Sequence, residues 1–386
     1  MRILAIETSC DETSVAVIYA TGSSTEPDIS IRAHNTSSQI KIHQKFGGVV
    51  PNLASREHQK NLVPILIQSL KEARMHARSK RAIATHKTVE QILVREQELL
   101  SQTKKYVFPL RKPDIDAIAV TVGPGLEPAL WVGINFAHAL STLWNLPIIP
   151  VNHMEGHIFS ALLETKKRRS FVPKNTFPML ALLVSGGHTE LILIKQYGSY
   201  TIVGETLDDA AGEAFDKTAR LLELRYPGGP EIAAYSEKKQ NKRIHISLPR
   251  PMLYSKDFNF SFSGLKTAAL YAVRDLKKKY SMKDIQPVIA KEFQDAAVEV
   301  LVSKTMHAAR HYNVKKILIG GGVSANRALR DTFKKKAEKE NMLLAISPLS
   351  LTGDNALMIA IAAFFNKKNA KKDASLLKAH GQLRIT

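Results

Sequence analysis

The chain has a single cysteine, Cys10, among 386 residues, which excludes an internal disulfide and suits a reducing compartment. It lacks a long hydrophobic run. The late apolar stretch at residues 356–365 falls well short of the roughly 20 residues that span a bilayer. The opening MRILAIETSCDET meets acids after only a few apolar residues, so no signal peptide is expected. No Gly-x-x-x-x-Gly-Lys-Ser/Thr run is present, which excludes a P-loop. Acids are also scarce, with 35 Asp and Glu against 55 Lys and Arg, a formal charge of +20. An excess of that size points to a polyanion, because each neutralised phosphate releases condensed counterions. Charge alone does not separate RNA from DNA or an anionic membrane face. Hydrophobic residues at 44% are enough for a sizeable core, and the length suits two packed lobes.

Local patterning reads as α/β. Short apolar runs at residues 3–6 and 15–20 flank a polar stretch at 7–14, a hairpin with an acid and hydroxyls at its turn. The layout returns at 179–184 and 189–194, now around Ser185-Gly186-Gly187-His188, which suggests a duplicated architecture. Residues 115–122 predict a strand, Gly123-Pro124-Gly125 a turn and 130–143 a helix. Residues 147–151 predict a strand followed by a helix carrying His153 and His157, and 316–320 a strand running into Gly320-Gly321-Gly322. Strand, glycine turn, helix is the order of a fold whose ligands sit at the carboxyl ends of strands. Residues 71–112 stand apart, with eleven Lys or Arg against four acids and with Val89, Ile92, Leu93, Leu99 and Leu100 near helical spacing. They predict a basic helical insertion. A second basic stretch holds Lys367, Lys368, Lys371 and Lys372.

Three clusters carry chemistry. His153 and His157 are four residues apart, which puts both imidazoles on one helical face, where they can converge on a metal. A zinc protease of this spacing needs glutamate directly after the first histidine. Met154 stands there, so that reading fails. A third ligand would be a carboxylate, and spacing leaves Asp354, Asp208, Asp209 and Asp216 all open. The glycine turns at 185–188 and 320–322 can present backbone N–H groups to phosphate. The acid-rich run at 208–217 can bind ribose hydroxyls or a metal, or simply favour a helix start.

Taken together the strings resemble the TsaD family of tRNA N6-adenosine threonylcarbamoyltransferases. They are IETSCDET at 6–13, GGVVPNLASREH at 47–58, GPGL at 123–126, NHMEGH at 152–157 and LLVSGGHTEL at 182–191. DDAAGEAFDKTARLL at 208–222, YPGGP at 226–230, FSFSGLKTA at 260–268, GGGVSANRALR at 320–330 and GDNALMIA at 353–360 complete a collinear series. The resemblance implies a two-lobed, duplicated actin-like ATPase (ribonuclease H-like) α/β fold with a cleft between lobes. The expected division is a first lobe over 1–150 with the basic insertion at about 74–112, a second lobe over 151–350 holding the metal and nucleotide sites, and a segment over 351–386 that carries a metal ligand and packs back on the first lobe.

The resemblance further implies that His153, His157 and Asp354 are the ligands of one divalent metal, iron, with zinc the alternative. Leu183, Val184, Ser185, Gly186, Gly187, Asp216, Gly229 and Asn326 match the family's nucleotide- and substrate-binding positions. The implied reaction moves a threonylcarbamoyl group from threonylcarbamoyl-AMP to the N6 amine of adenosine next to the anticodon, in tRNAs reading codons that begin with A, with release of AMP. The implied partners are tRNA, a smaller homologous TsaB-like subunit, a TsaE-like ATPase and a TsaC-type synthase that supplies the adenylate. Neither a membrane association nor a general base is implied, and the expected location is the cytoplasm. A non-catalytic scaffold of the same fold, the competing class, lacks the paired histidines. Two departures stand out: Glu127-Pro128 follow the GPGL string, and the 74–112 insertion has no counterpart in the bacterial pattern, which suggests an added tRNA contact.

Overall fold

The computed structural model describes residues 1–23, 26–77, 86–166, 169–174 and 177–386. The chain forms two compact units, the first comprising Met1–Lys41, Val49–Asn175 and Asp354–Ile385, the second Ile42–Gly48, Thr176–Gly353 and Thr386.

The sheet of the first unit is built on β1 (Arg2–Glu7), β2 (Glu12–Gly22), β3 (Pro27–Ser38), β4 (Ala117–Gly123) and β5 (Ile148–Asn152), and is extended by β6 (Glu164–Lys166) and β7 (Arg169–Phe171). Its order is β5-β4-β1-β2-β3-β7-β6. β1 pairs antiparallel with β2 and parallel with β4, and β4 pairs parallel with β5. In the second unit β8 (Met179–Val184), β9 (Thr189–Gln196), β10 (Ser199–Glu205), β11 (Lys316–Gly320) and β12 (Leu343–Ile346) follow the order β10-β9-β8-β11-β12. There β8 pairs antiparallel with β9 and parallel with β11, which pairs parallel with β12. Counting strands from the start of each unit, both cores read 3-2-1-4-5 with the same polarities. The repeated hairpin layout in the sequence is therefore a duplicated sheet.

Burial explains the strands. β4 and β8 are buried at every position, as expected for central strands covered on both faces. In the first unit the covering helices are α2 (Pro51–Glu72), α3 (His86–Ile92), α4 (Gln97–Gln102), α5 (Glu127–Trp144), α6 (His153–Leu162) and α12 (Ala356–Phe365). α1 (Ile40–His43) is a short turn ahead of them. α12 is apolar all round and buried from Ala356 to Phe364, so the late hydrophobic run is a core helix. In the second unit the helices are α7 (Ala211–Leu221), α8 (Gly228–Ser236), α9 (Ser263–Leu276), α10 (Met282–His311) and α11 (Arg327–Lys339). Among the described residues no helix is long and apolar enough to cross a membrane.

The units divide the chain elsewhere than at 150, and the insertion packs on the core of the first unit. A division at 150 cuts between Pro150 and Val151, but β5 continues to Asn152 in register with β4, and α6 packs on α12. Residues 151–175, with both histidines, therefore sit in the first unit, and 354–385 join them there. The 74–112 insertion, of which 78–85 lie outside the described residues, is helical but docked. Val89, Leu93, Leu99, Leu100 and Val107 are buried in one cluster with Leu62, Leu66 and Leu140 of α2 and α5. Its helical spacing encodes a core-facing stripe, and its described cations, among them Lys87, Arg95, Lys104 and Lys105, are exposed.

Candidate functional site

The paired histidines begin α6. Asn152 caps the helix by accepting hydrogen bonds from Met154 N (2.9 Å) and Glu155 N (3.4 Å). The four-residue spacing brings the two imidazole centroids to 4.7 Å, nearly perpendicular at 85°. Gly156 lies between them. A Cβ there would stand 3.0 Å from both Ile359 Cδ1 and Met358 Cγ of α12, so glycine is what lets α12 approach so closely. That approach delivers Asp354, just ahead of α12, whose Oδ1 is 3.3 Å from Nε2 of His153 and of His157. α12 is itself anchored by Asn355, which accepts from Met358 N (3.0 Å), and by Ser14 of β2, which accepts from Ala356 N (3.0 Å).

His153, His157 and Asp354 each offer one ligand atom, and these lie within 4.8 Å of one another. The other three acids left open by spacing are engaged elsewhere. Asp208 accepts from Phe262 N and Ser263 N, Asp209 pairs with Lys217 and Lys266, and Asp216 accepts from Gly228 N.

Glu7, which spacing did not single out, orders the centre. It ends β1, is fully buried, and accepts from Ser9 N and from Thr121 Oγ1 (2.6 Å). Its Oε2 also lies 3.2 Å from Nδ1 of His153, as does Ser9 Oγ. A carboxylate accepting from Nδ1–H leaves Nε2 of His153 as the free lone pair, the arrangement that orients metal-binding histidines. The available signal was an acid closing an otherwise apolar, buried strand.

Electrostatics make the centre attractive to a cation. Burial disfavours charge on His153, but Asp354 and Glu7 outweigh it and hold its pKa well above the usual range. Burial, with a further push from His153, lowers His157 and keeps its lone pair available. Asp354 is half-buried, which disfavours its charge, yet the two histidines hold it far below the carboxylate range. Burial, with Asp11 and Asp354 nearby, raises Glu12 well above its ordinary value. Nδ1 of His157 is buried without a hydrogen-bond partner, and its buried Nε2 faces Asp354 Oδ1 at 3.3 Å. Two imidazoles and one carboxylate, with an orphaned imidazole nitrogen, fit a divalent transition metal such as iron or zinc.

The remaining sequence-selected residues all lie in the second unit, at the carboxyl ends of β8 and β11 and on α7 and α8. Leu183 and Val184 are fully buried and can contribute only backbone. Ser185 closes the β8–β9 turn, its N donating to His188 O (2.8 Å) and its O accepting from Gly212 N (3.2 Å) at the start of α7. Asp216 follows on α7 and binds Gly228 N (2.6 Å), which brings Gly229 alongside. It also lines a cavity of about 190 Å³ with Arg220, Arg225 and Tyr226. Asn326 caps α11 by accepting from Leu329 N (3.0 Å) and donates to Gln294 Oε1 (2.7 Å), so this side chain has a structural task.

The glycines divide in two. A Cβ at Gly321 (φ +88°) would strike Val184 O at 2.4 Å, and that position is closed by packing. A Cβ at Gly186, Gly187, Gly229 or Gly322 would meet nothing within 4 Å, so those backbones face open space. Strand ends, a helix start and glycine backbone with open space beside it suit an anionic ligand.

Comparison with known proteins identifies the family. A family model described as TsaD: tRNA N6-adenosine threonylcarbamoyltransferase matches residues 30–88 and 89–361. The tRNA N6-adenosine threonylcarbamoyltransferase of Ralstonia pickettii (strain 12J) is 44% identical over 364 residues, covering 94% of this chain and 90% of that protein. The protein of the same name from Thermosipho africanus (strain TCF52B) is 42% identical over 385 residues, covering 100% of both. That of Bacillus subtilis (strain 168) is 42% identical over 364 residues, covering 94% and 89%. Among solved structures, full-length HypF in its phosphate- and nucleotide-bound form superposes with a TM-score of 0.50 at 12% identity, over 95% of this chain and 46% of that one. That likeness concerns the fold.

Proposed function

The chain belongs to the TsaD family, and from this premise we propose that it transfers a threonylcarbamoyl group from threonylcarbamoyl-AMP to N6 of the adenosine next to the anticodon, in tRNAs reading codons that begin with A. The observation that carries the reading is the convergence of the buried His153 and His157 with the half-buried Asp354 in a chain of this family.

In this reaction the N6 amine attacks the carbamoyl carbon of a mixed anhydride. The bond from that carbon to the bridging phosphate oxygen breaks, AMP leaves with the bonding electrons, and N6 loses one proton. The adenylate supplies a good leaving group, so the demand on the protein falls on the weak amine and on the developing negative charge. When bound, a divalent iron or zinc supplies a Lewis acid at the centre. His153, His157 and Asp354 would hold it, and Glu7 would keep His153 turned with Nε2 outward. The backbone N–H groups of Gly186, Gly187 and Gly322, glycines with open space beside them, would receive phosphate oxygens, and Asp216 would accept from a ribose hydroxyl, with Leu183, Val184, Ser185 and Gly229 framing the turn. Asn326 would act by holding the turn ahead of α11.

The same reading brings the family's partners: tRNA, a smaller TsaB-like subunit of related fold, a TsaE-like ATPase and a TsaC-type synthase, all in the cytoplasm. The cations on the solvent side of the insertion, among them Lys87 and Lys105, would add to tRNA attraction.

The test is nucleoside analysis of unmodified tRNA incubated with threonine, bicarbonate, ATP, a synthase, the partner subunits and this chain. Threonylcarbamoyladenosine from wild type is the expected result. No product, with partners proven competent by a known transferase, would refute the assignment.

A further inference from the structure

Residues 241–257 of the second unit form neither helix nor strand, yet they are fastened along α10. Asn241 Nδ2 donates to Asp284 (3.3 Å), Leu248 N to Glu292 (3.0 Å), and Arg250 Nε to Glu299 (2.9 Å). At the far end Lys304 Nζ donates to Met252 O (2.9 Å), Ser255 Oγ (2.7 Å) and Asp257 O (3.1 Å). The anchors run from Asp284 to Lys304, about 30 Å of helix at 1.5 Å per residue. Ile244 and Leu248 turn inward and are buried, and Pro249 and Pro251 favour an extended course.

The final anchor is unusual. The Lys304 side chain is 2% exposed, and a buried ammonium is costly unless its donors are satisfied. Here all three donors go to one short loop. Met252 in that loop adopts a positive φ of 54°, a strained conformation for a side chain of its kind. A loop held this firmly presents Tyr254, whose exposure is 94%. The outward face of the strap carries Lys242, Arg243, His245 and Lys256, and Asp257 is its single acid. A protein hot spot would surround its aromatic with other apolar groups. A rigid, bare π-face on a cationic track is the chemistry that receives single-stranded nucleic acid.

We propose that the 241–257 strap is an RNA-binding face, on which Tyr254 stacks on an unpaired base while Lys242, Arg243 and Lys256 meet backbone phosphates. The proposal rests on the tRNA-modifying reading for the identity of the RNA. Its geometry is independent of the metal centre.

The experiment measures binding of an unmodified tRNA transcript to the full chain by fluorescence anisotropy across a salt series, with thermal unfolding as the control for folding. Tyr254→Ala should weaken binding by about 5- to 100-fold, whereas Tyr254→Phe, which keeps the ring, should stay within about twofold of wild type. Replacing Lys242, Arg243 and Lys256 together by alanine should lower the slope of log K against log salt by about 2, at roughly 0.7 per single-strand phosphate contact. Folded Tyr254→Ala and triple variants that bind tRNA as wild type does would overturn the proposal. So would Tyr254→Ala that keeps tRNA binding but loses a purified partner subunit, because the face would then belong to a protein. A wild-type chain that binds tRNA through the strap but yields no threonylcarbamoyladenosine with competent partners would sink the transferase reading and leave the strap standing.

Discussion

Glu7→Gln removes one charge and changes almost nothing in shape, yet it should weaken metal binding by about 10- to 100-fold. The carboxylate answers three donors from full burial: Ser9 N, Thr121 Oγ1 and the Nδ1 side of His153. Glutamine has one oxygen and one amino group for those two positions. With its oxygen kept on the Ser9 amide, its NH₂ faces Thr121 and His153. The Thr121 hydroxyl can turn to accept, but His153 can accept only by moving its proton to Nε2, which removes the lone pair a metal needs. The opposite orientation leaves the Ser9 amide facing an N–H donor in a dry site, a loss of about 1–3 kcal/mol. The first orientation lowers metal affinity by about 1.4–2.7 kcal/mol, and the second lowers the stability of the fold instead. Anaerobic Co(II) titration followed through its ligand-field absorbance reads the dissociation constant, and thermal unfolding in EDTA checks the fold. A folded variant with wild-type affinity would refute the idea that Glu7 sets the tautomer of His153.

Gly156→Ala should push α12 outward, because its Cβ would meet Ile359 and Met358 at 3.0 Å, and Co(II) titration should show weaker binding with His153, His157 and Asp354 all intact. Leu99→Ala, a fully buried position in the docked insertion, should cost about 2–5 kcal/mol in urea unfolding, whereas a mobile appendage would lose almost nothing. Burial raises the Asp209 carboxyl, but hydrogen bonds from Lys217 and Lys266 outweigh it and leave its pKa lowered. Its stabilising contribution is therefore complete above the unfolded carboxylate pKa near about 4 and disappears as pH falls through the lower folded value. Asp209→Asn should flatten that acid-side loss by less than about 1 kcal/mol, because Lys217 is partly exposed and solvent screens the pair. Stability curves at several acid pH values check both sign and size.

The parts of this fold that could be read from sequence are those encoded by local periodicity. The strand–turn–helix order around Gly123-Pro124-Gly125, the two hairpins and the i,i+4 histidines each express one element's geometry. Long-range pairing is different. Residues 151–175 join the first unit because β5 registers with β4 and Gly156 admits α12, and neither contact has a signature in residues 151–175 alone. Local reasoning likewise could not choose Asp354 over Asp208, Asp209 or Asp216; the choice came first from family resemblance, and distances then separate the four. Glu7 stayed hidden because a buried acid at a strand end acquires meaning only from the histidine brought to it from 146 positions away. The glycine turns looked alike in sequence, and only the surrounding space separates Gly321, closed against Val184, from the open Gly186 and Gly322.

The most direct test of the central claim is formation of threonylcarbamoyladenosine by the partnered wild-type chain, set beside a His153→Ala/His157→Ala variant of equal secondary structure and equal tRNA affinity. Product from wild type and none from the variant is the predicted result. Equal product from both would contradict the claim that this histidine–carboxylate centre carries the transfer.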